Sequence, residues 1–138
     1  MTFALNIKTA EDKAAEVQEQ RRATVNAERD HRIDAGFIFD GVAYQSTPAD
    51  RENIAGAATS ALGAMQAGAQ PGDLRWHGGD TDFAWIAADN SEHSMDAPTM
   101  WKFGQAAMEH KRALIFAARA IKDMAEIPED FAADAYWP

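Results

Sequence analysis

The sequence predicts an α+β fold, with three helices packed on one or two short antiparallel β-hairpins. Three observations predict it. In Phe37-Ile38-Phe39-Asp40-Gly41-Val42-Ala43-Tyr44-Gln45 an Asp-Gly pair separates two β-prone runs, and a type I′ hairpin turn needs the positive φ at two successive residues that Asp-Gly tolerates. Helix-start chemistry stands at Thr9, at Thr47-Pro48 and at Asp96. The last of these opens a run with regular i, i+3, i+7 apolar spacing, the period of a helix face.

Met1 to Lys8 alternates, with Phe3, Leu5 and Ile7 on one face, and reads as a short strand packed against something. Thr9, with Asp12 three residues on, caps a first helix over residues 10–35 that stops at Gly36. Its apolar content is thin: Ala14, Val17, Val25 and Ile33. Such a helix either projects into solvent or leans on a partner through a narrow seam. Val17, Thr24 and His31 stand at heptad spacing, but two of them are polar, which argues against a coiled coil. In the hairpin, Phe39 opposes Val42 and Phe37 opposes Tyr44 on one face, which a two-stranded ribbon cannot bury alone.

Thr47 caps the second helix, residues 48–67, with Pro48 at its first position and Asp50 favouring the dipole. Ile54, Ala58, Ala61, Leu62 and Met65 form its stripe, and Gly56 and Gly63 thin it further. Residues 70–82 form a loop, with a short strand over Leu74 to Trp76. Phe83 to Ala88 reads as a strand, Asp89 to Glu92 as a turn and His93 to Met95 as the returning strand. The third helix runs over residues 97–125, before Pro128. One stripe is Met100, Phe103, Ala107, His110, Leu114, Ala117, Ile121 and Met124; a second is Trp101, Met108 and Ile115. A surface this wide needs two things to bury against: its own domain on both sides, or its own domain and a partner chain. The end of the sequence carries Phe131, Tyr136 and Trp137, which either dock into a partner groove or fold back on the core.

At 138 residues and 46% hydrophobic content the chain suits one domain with a buried core. No apolar run approaches the roughly 20 residues of a membrane span. Residues 1–9 show neither the basic nor the apolar part of a signal peptide. The absence of cysteine removes disulfides and thiolate chemistry and fits a reducing cytoplasm. A net charge of -9 repels phosphate backbones. Arg21, Arg22, Arg29 and Arg32 are interleaved with Glu16, Glu19, Glu28 and Asp30, which reads as a solvated helix rather than a nucleic-acid patch.

Nothing in the sequence points to catalysis. His31, His77, His93 and His110 include no pair at zinc-ligand spacing on a helix. His110 lies on an apolar stripe and reads as a core histidine. His77-Gly78-Gly79-Asp80-Thr81-Asp82 is the most site-like string, able to cradle an anion or offer Asp80 and Asp82 to calcium. It lacks the spacing and closing glutamate of an EF-hand loop, and Gly-Asp clusters mark ordinary turns. P-loop, nucleophile-elbow, dinucleotide and His-Glu-x-x-His signatures are absent. No catalytic residue, cofactor or metal ligand is expected.

Three blocks carry a family resemblance. They are residues 29–46, which hold the hairpin; Arg51-Glu52-Asn53-Ile54; and Trp85-Ile86-Ala87-Ala88-Asp89-Asn90 followed by Met100, Gly104, Gln105, Ala106 and His110. Their order is similar to a domain of unknown function found in proteins of tailed bacteriophages and prophages, often in or beside tail-fibre and tail-assembly genes. The resemblance covers about residues 28 to 125, and the loop over residues 70–82 is longer than the family's.

The resemblance implies a non-enzymatic structural component of a bacteriophage tail, at the tail tip, baseplate or tail-fibre attachment. Its partners would be other tail proteins, or a second copy of the chain, with no nucleic acid and no membrane. It would be made in the bacterial cytoplasm and reside in the virion. An assembly chaperone that leaves the finished particle, and a small metal-binding protein or enzyme using residues 77–82, are the alternatives. The expected division is an N-terminal strand and polar helical arm over residues 1–27, the tail-associated domain over 28–127 and an aromatic tail over 128–138. Partner contacts are expected at Phe3, Leu5, Ile7, Trp101, Met108, Ile115, Tyr136 and Trp137.

Overall fold

The computed structural model describes residues 9–138, in which three helices and two two-stranded sheets alternate along the chain. Helix α1 spans Ala10–Asp34, β1 Phe37–Phe39, β2 Val42–Tyr44 and α2 Pro48–Gln66. Strands β3 (Ala84–Ile86) and β4 (Glu92–Ser94) and helix α3 (Ala97–Lys122) follow, and a single 3-10 turn covers Asp134–Tyr136. This is the expected α+β arrangement, with both hairpins present. The strand expected over residues 1–8, with Phe3, Leu5 and Ile7, lies outside the described residues.

Local chemistry sets the element boundaries. The Thr9 hydroxyl accepts from the Asp12 amide at 3.0 Å while Asp12 accepts from the Thr9 amide at 3.1 Å, a reciprocal cap. Thr47 and Asp50 repeat the device at α2. Between α1 and β1 the chain turns at Gly36, whose φ of +109° is open to glycine, and a Cβ there would lie 2.5 Å from the Tyr44 carbonyl oxygen. Asp40 and Gly41 both have positive φ, +50° and +76°, and the register pairs Phe37 with Tyr44 and Phe39 with Val42 as the sequence predicts.

The second hairpin pairs Trp85 with His93. Its strand is shorter than expected, because Ala87 and Asn90 close the turn through Ala87 N–H to Ser91 O (2.8 Å) and Asn90 N–H to Ala87 O (2.9 Å). Ala88 N–H reaches Ala43 O at 2.9 Å and ties the two hairpins together. The strand expected over Leu74 to Trp76 is a run of turns. Those residues are held instead by the Phe83 amide, which donates to Leu74 O, and by Trp76 Nε1, which donates to Met95 O at 3.0 Å.

The two halves of α3 serve two cores. Met100 and Phe103 face the hairpins, Ile54 and Ala61, whereas Leu114, Ala118 and Ile121 pack with Val25, Ile33, Ile127 and Trp137. Helix α2 approaches α3 closely because position 104 is glycine, where a Cβ would overlap the Ala58 methyl. The helix ends at Lys122, short of residue 125, so Met124 falls beyond it and Ala118 is buried where Ala117 is only half-buried.

The expected arm is not separate from the rest. Helix α1 runs unbroken across residues 27 and 28 and is clamped from Gln18 to Arg32 by polar bonds to the last residue of α3 and the segment after it. Arg21 donates to Ile127 O at 2.9 Å, Gln18 accepts from Ile127 N–H at 3.3 Å, and Lys122 donates to Asn26 at 2.8 Å. Trp137, expected at a partner contact, is instead 7% exposed in the chain's own core. The Arg32 guanidinium lies 5.1 Å from its ring centroid, and the indole N–H donates to Phe131 O at 2.9 Å. Folding the last residues back satisfies both the indole edge and the apolar ring faces, which an exposed tail leaves in water.

Two predictions follow from this packing. Gly104→Leu is expected to lose about 1–3 kcal/mol in a denaturant melt, because α2 must move away from α3. Asp96 caps α3, accepting from Thr99 N–H and Gly72 N–H, each at 2.9 Å. Hydrogen bonding from Thr99, then the Gly72 amide and the charge of Lys102, holds its carboxyl below the usual carboxylate range against the opposing effect of burial. The stabilisation is full above the unfolded value of about 3.9 and is lost as pH falls through the lower folded value. Asp96→Asn keeps a capping oxygen without the titration, so the Tm gap between wild type and variant is expected to narrow below about pH 4.

Candidate protein-contact face

A helix of 26 residues that buries one face must leave another outside, and on α3 that outer face carries large apolar side chains among its charged ones. Trp101, Met108 and Ile115 follow one another at heptad spacing along it. Met108 is 58% and Ile115 40% exposed, and Trp101 is half-buried at the lip of a groove. Neighbouring Phe116 is 55% exposed.

The groove runs between α2 and α3 and holds about 360 Å³. Ala55, Ala58 and Gly104 leave it hollow, and Trp101 and Met108 wall it on the α3 side. The small residues that let the two helices approach are therefore the same ones that keep the groove open. Beside it lies a second hollow of about 510 Å³, bounded by Arg29, Ile33, Pro48 and Ile115. Arg51 and Lys111 line both hollows.

The charges around these hollows are unequal in their commitments. Arg51 donates to Asp34 at 2.8 Å and to Ser46 O at 2.5 Å, which fixes its guanidinium over the junction of the hairpin and α2. Arg112 binds Glu109 through two bonds of 2.7 and 2.8 Å, and this pairing holds the Glu109 carboxyl below the usual range. Lys111 makes no ion pair among the described residues and is exposed. No carboxylate lines the α2–α3 groove.

Three of the residues expected at partner contacts, Trp101, Met108 and Ile115, thus share one face. Tyr136 and Trp137 line neither hollow; Tyr136 packs on the second core and donates to Asp130 at 3.1 Å. Arg51 and Lys111 were not among the residues singled out by sequence. One signal for Lys111 is present there: α3 carries five of the chain's 13 Lys and Arg residues and one of its 22 Asp and Glu residues. The position of Arg51 depends on α2 lying against α3, which no local pattern encodes.

The other singled-out residues lie elsewhere. His110 stacks on Phe37 with ring centroids 5.8 Å apart and approaches Ile33 O at 3.3 Å, half-buried between the two cores. His77, Asp80 and Asp82 are exposed; His77 packs edge-on to Phe83 and Asp82 lies 3.4 Å from Arg75. Among the described residues no group of three His, Asp or Glu could hold a metal ion, and no helix is long and apolar enough to cross a membrane. His93 contacts Ser91 Oγ at 2.8 Å, and Ser91 also binds Asp89, which lowers the Asp89 carboxyl pKa. These bonds close the β3–β4 turn.

Exposure separates the apolar row from the buried aromatics by stability. Replacing Met108 and Ile115 together by Ser is expected to change unfolding free energy by less than about 1 kcal/mol, as for surface sites. Trp137→Ala is expected to cost about 3–5 kcal/mol. Urea titrations of the two variants check the contrast.

No curated protein and no solved structure matches the chain. A family does: the one described as Domain of unknown function (DUF4376) matches residues 16–136. That span takes in α1 from residue 16 on, both hairpins, α2, α3 and most of the returning C-terminal segment, so the chain belongs to the DUF4376 family.

Proposed function

We propose that the chain is a non-enzymatic structural component of a bacteriophage tail, at the tail tip, baseplate or tail-fibre attachment, working through protein–protein contacts. The observation that carries the contact part is the row of Trp101, Met108 and Ile115 beside an apolar groove. Monomeric proteins seldom leave contiguous apolar surface in water without a use for it. Groove and row together offer what an interface core needs, a concave apolar floor beside large anchors.

The phage-tail setting is supported by the similarity of the three sequence blocks. Several residues of those blocks also build the groove: Arg51, Ile54 and Gly104 line it, and the hairpin that fixes the start of α2 stands in the first block. On this reading the hairpins support the two helices that meet the partner.

Mass spectrometry of purified particles tests the setting, with the chain expected at a fixed stoichiometry in the virion. Its absence, or a substoichiometric trace, would make it an assembly chaperone instead. Trp101→Ala and Ile115→Ala are expected to lower the yield of finished particles while the isolated protein stays folded. Unchanged yield from a variant that unfolds the isolated protein would remove these residues from the contact.

A further inference from the structure

We infer that the groove between α2 and α3 takes an acidic amphipathic helix of a partner protein. This rests on the reading of the face as a protein-contact surface and names what meets it. The shape argument comes first. Ala55, Ala58 and Gly104 leave a depression between two helices, and Trp101 and Met108 rise beside it. Large apolar side chains at i, i+3 and i+7 of an incoming helix fit such a depression as knobs fit a hole. From Trp101 to Ile115 the row rises about 21 Å along α3, which a helix of about 14 residues matches.

Charge decides which helix. The chain as a whole is strongly acidic, at -9, yet α3 holds five cations against Glu109 alone. The groove is walled by Arg51 and Lys111 and by no carboxylate. In the adjoining hollow Asp34 is paired with Arg51, while Asp30 is paired with Arg29. Lys111 stands between the two hollows with no ion pair among the described residues, in position to meet a carboxylate on the edge of an apolar seam.

The same charges disfavour the other occupants. A second copy docking groove to groove sets Arg51 and Lys111 against the same two cations, with no carboxylate lining either groove. Residues 1–8 of the chain have apolar side chains but carry Lys8 and no carboxylate, so they do not complement the groove. A nucleic-acid backbone has no apolar side chains to fill the depression, and it would meet only two cations, one already bonded to Asp34.

The probe is a fluorescein-labelled helical peptide of about 14 residues, with Leu along the seam and Glu on the flanks, a length set by the rise of the row. A Lys-flanked version and a single-stranded DNA oligonucleotide serve as comparisons, read by fluorescence anisotropy against the folded protein. The Glu peptide is expected to bind saturably, and to weaken as salt rises. Lys111→Glu is expected to weaken it about fivefold, and Met108→Ser more. Equal binding of the Lys peptide, tighter binding of the oligonucleotide, no binding of the Glu peptide, or indifference to Lys111→Glu would each overturn the inference. Particle yield separates this failure from that of the broader reading. If Ile115→Ala lowers yield and Lys111→Glu does not, the contact face stands and the acidic helix is wrong. If neither lowers yield, the contact face falls as well.

Discussion

Phe103 has no exposed surface, and its ring lies within 4.7–5.8 Å, centroid to centroid, of Tyr44, Phe37, Phe39 and Trp85. Three of those rings come from the first hairpin and one from the second. Each hairpin has strands of three residues, far below what stands alone in water. One side chain of α3 therefore supplies the surface that both ribbons need. Each well-oriented aromatic pair adds about 0.5–1.5 kcal/mol beyond its buried area, so the cluster contributes order beyond simple apolar burial. The next residue, Gly104, has no side chain, and α2 occupies the space this leaves. Adjacent residues on one helix thus anchor the hairpins and admit the second helix.

The other half is built on a different principle. Helix α1 buries only Val25 and Ile33 fully among its described side chains, yet it is fixed. Its guanidinium and amide groups bind backbone groups near residues 125–132, where the chain has left α3 and its carbonyls need donors. Each such bond contributes modestly in net terms, while an unpaired buried carbonyl costs more, so the bonds specify where α1 lies as much as they stabilise it. Arg32 does this at Ala132 O, and it also binds the Glu28 and Asp134 carboxylates while lying on the face of Trp137.

Much of this was legible in the sequence, and the boundary between what was and what was not follows range. The Asp40-Gly41 turn, the caps at Thr9, Thr47 and Asp96, and the pairing of Phe37 with Tyr44 depend on residues a few positions apart. Heptad spacing likewise revealed the row of Trp101, Met108 and Ile115. The destination of Trp137 was only half legible, because aromatic residues after a helix suit a partner groove as well as the chain's own core, and the sequence tipped the balance only slightly towards the core. The strand expected at Leu74 to Trp76 is overridden by the indole bond from Trp76 to Met95, 19 residues on. The clamp on α1 left no periodic trace, since Gln and Arg facing distant carbonyls look like any solvated helix. The cationic edge of the groove needed two helices from opposite sides of a long loop to be seen together.

The range of the α1 bonds also orders events during synthesis. Their partners lie 96 to 109 residues further along the chain. While the ribosome is still making the hairpins and α2, these partners do not yet exist. Helix α1 must wait, and contacts this distant close only once nearly everything else is in place. An apolar helix kept waiting would expose sticky surface to other chains. The polar surface of α1, a weakness when judged as a core element, makes it a safe segment to leave unattached. Helix α1 leaves the ribosome long before the residues that secure it, and its composition suits that delay.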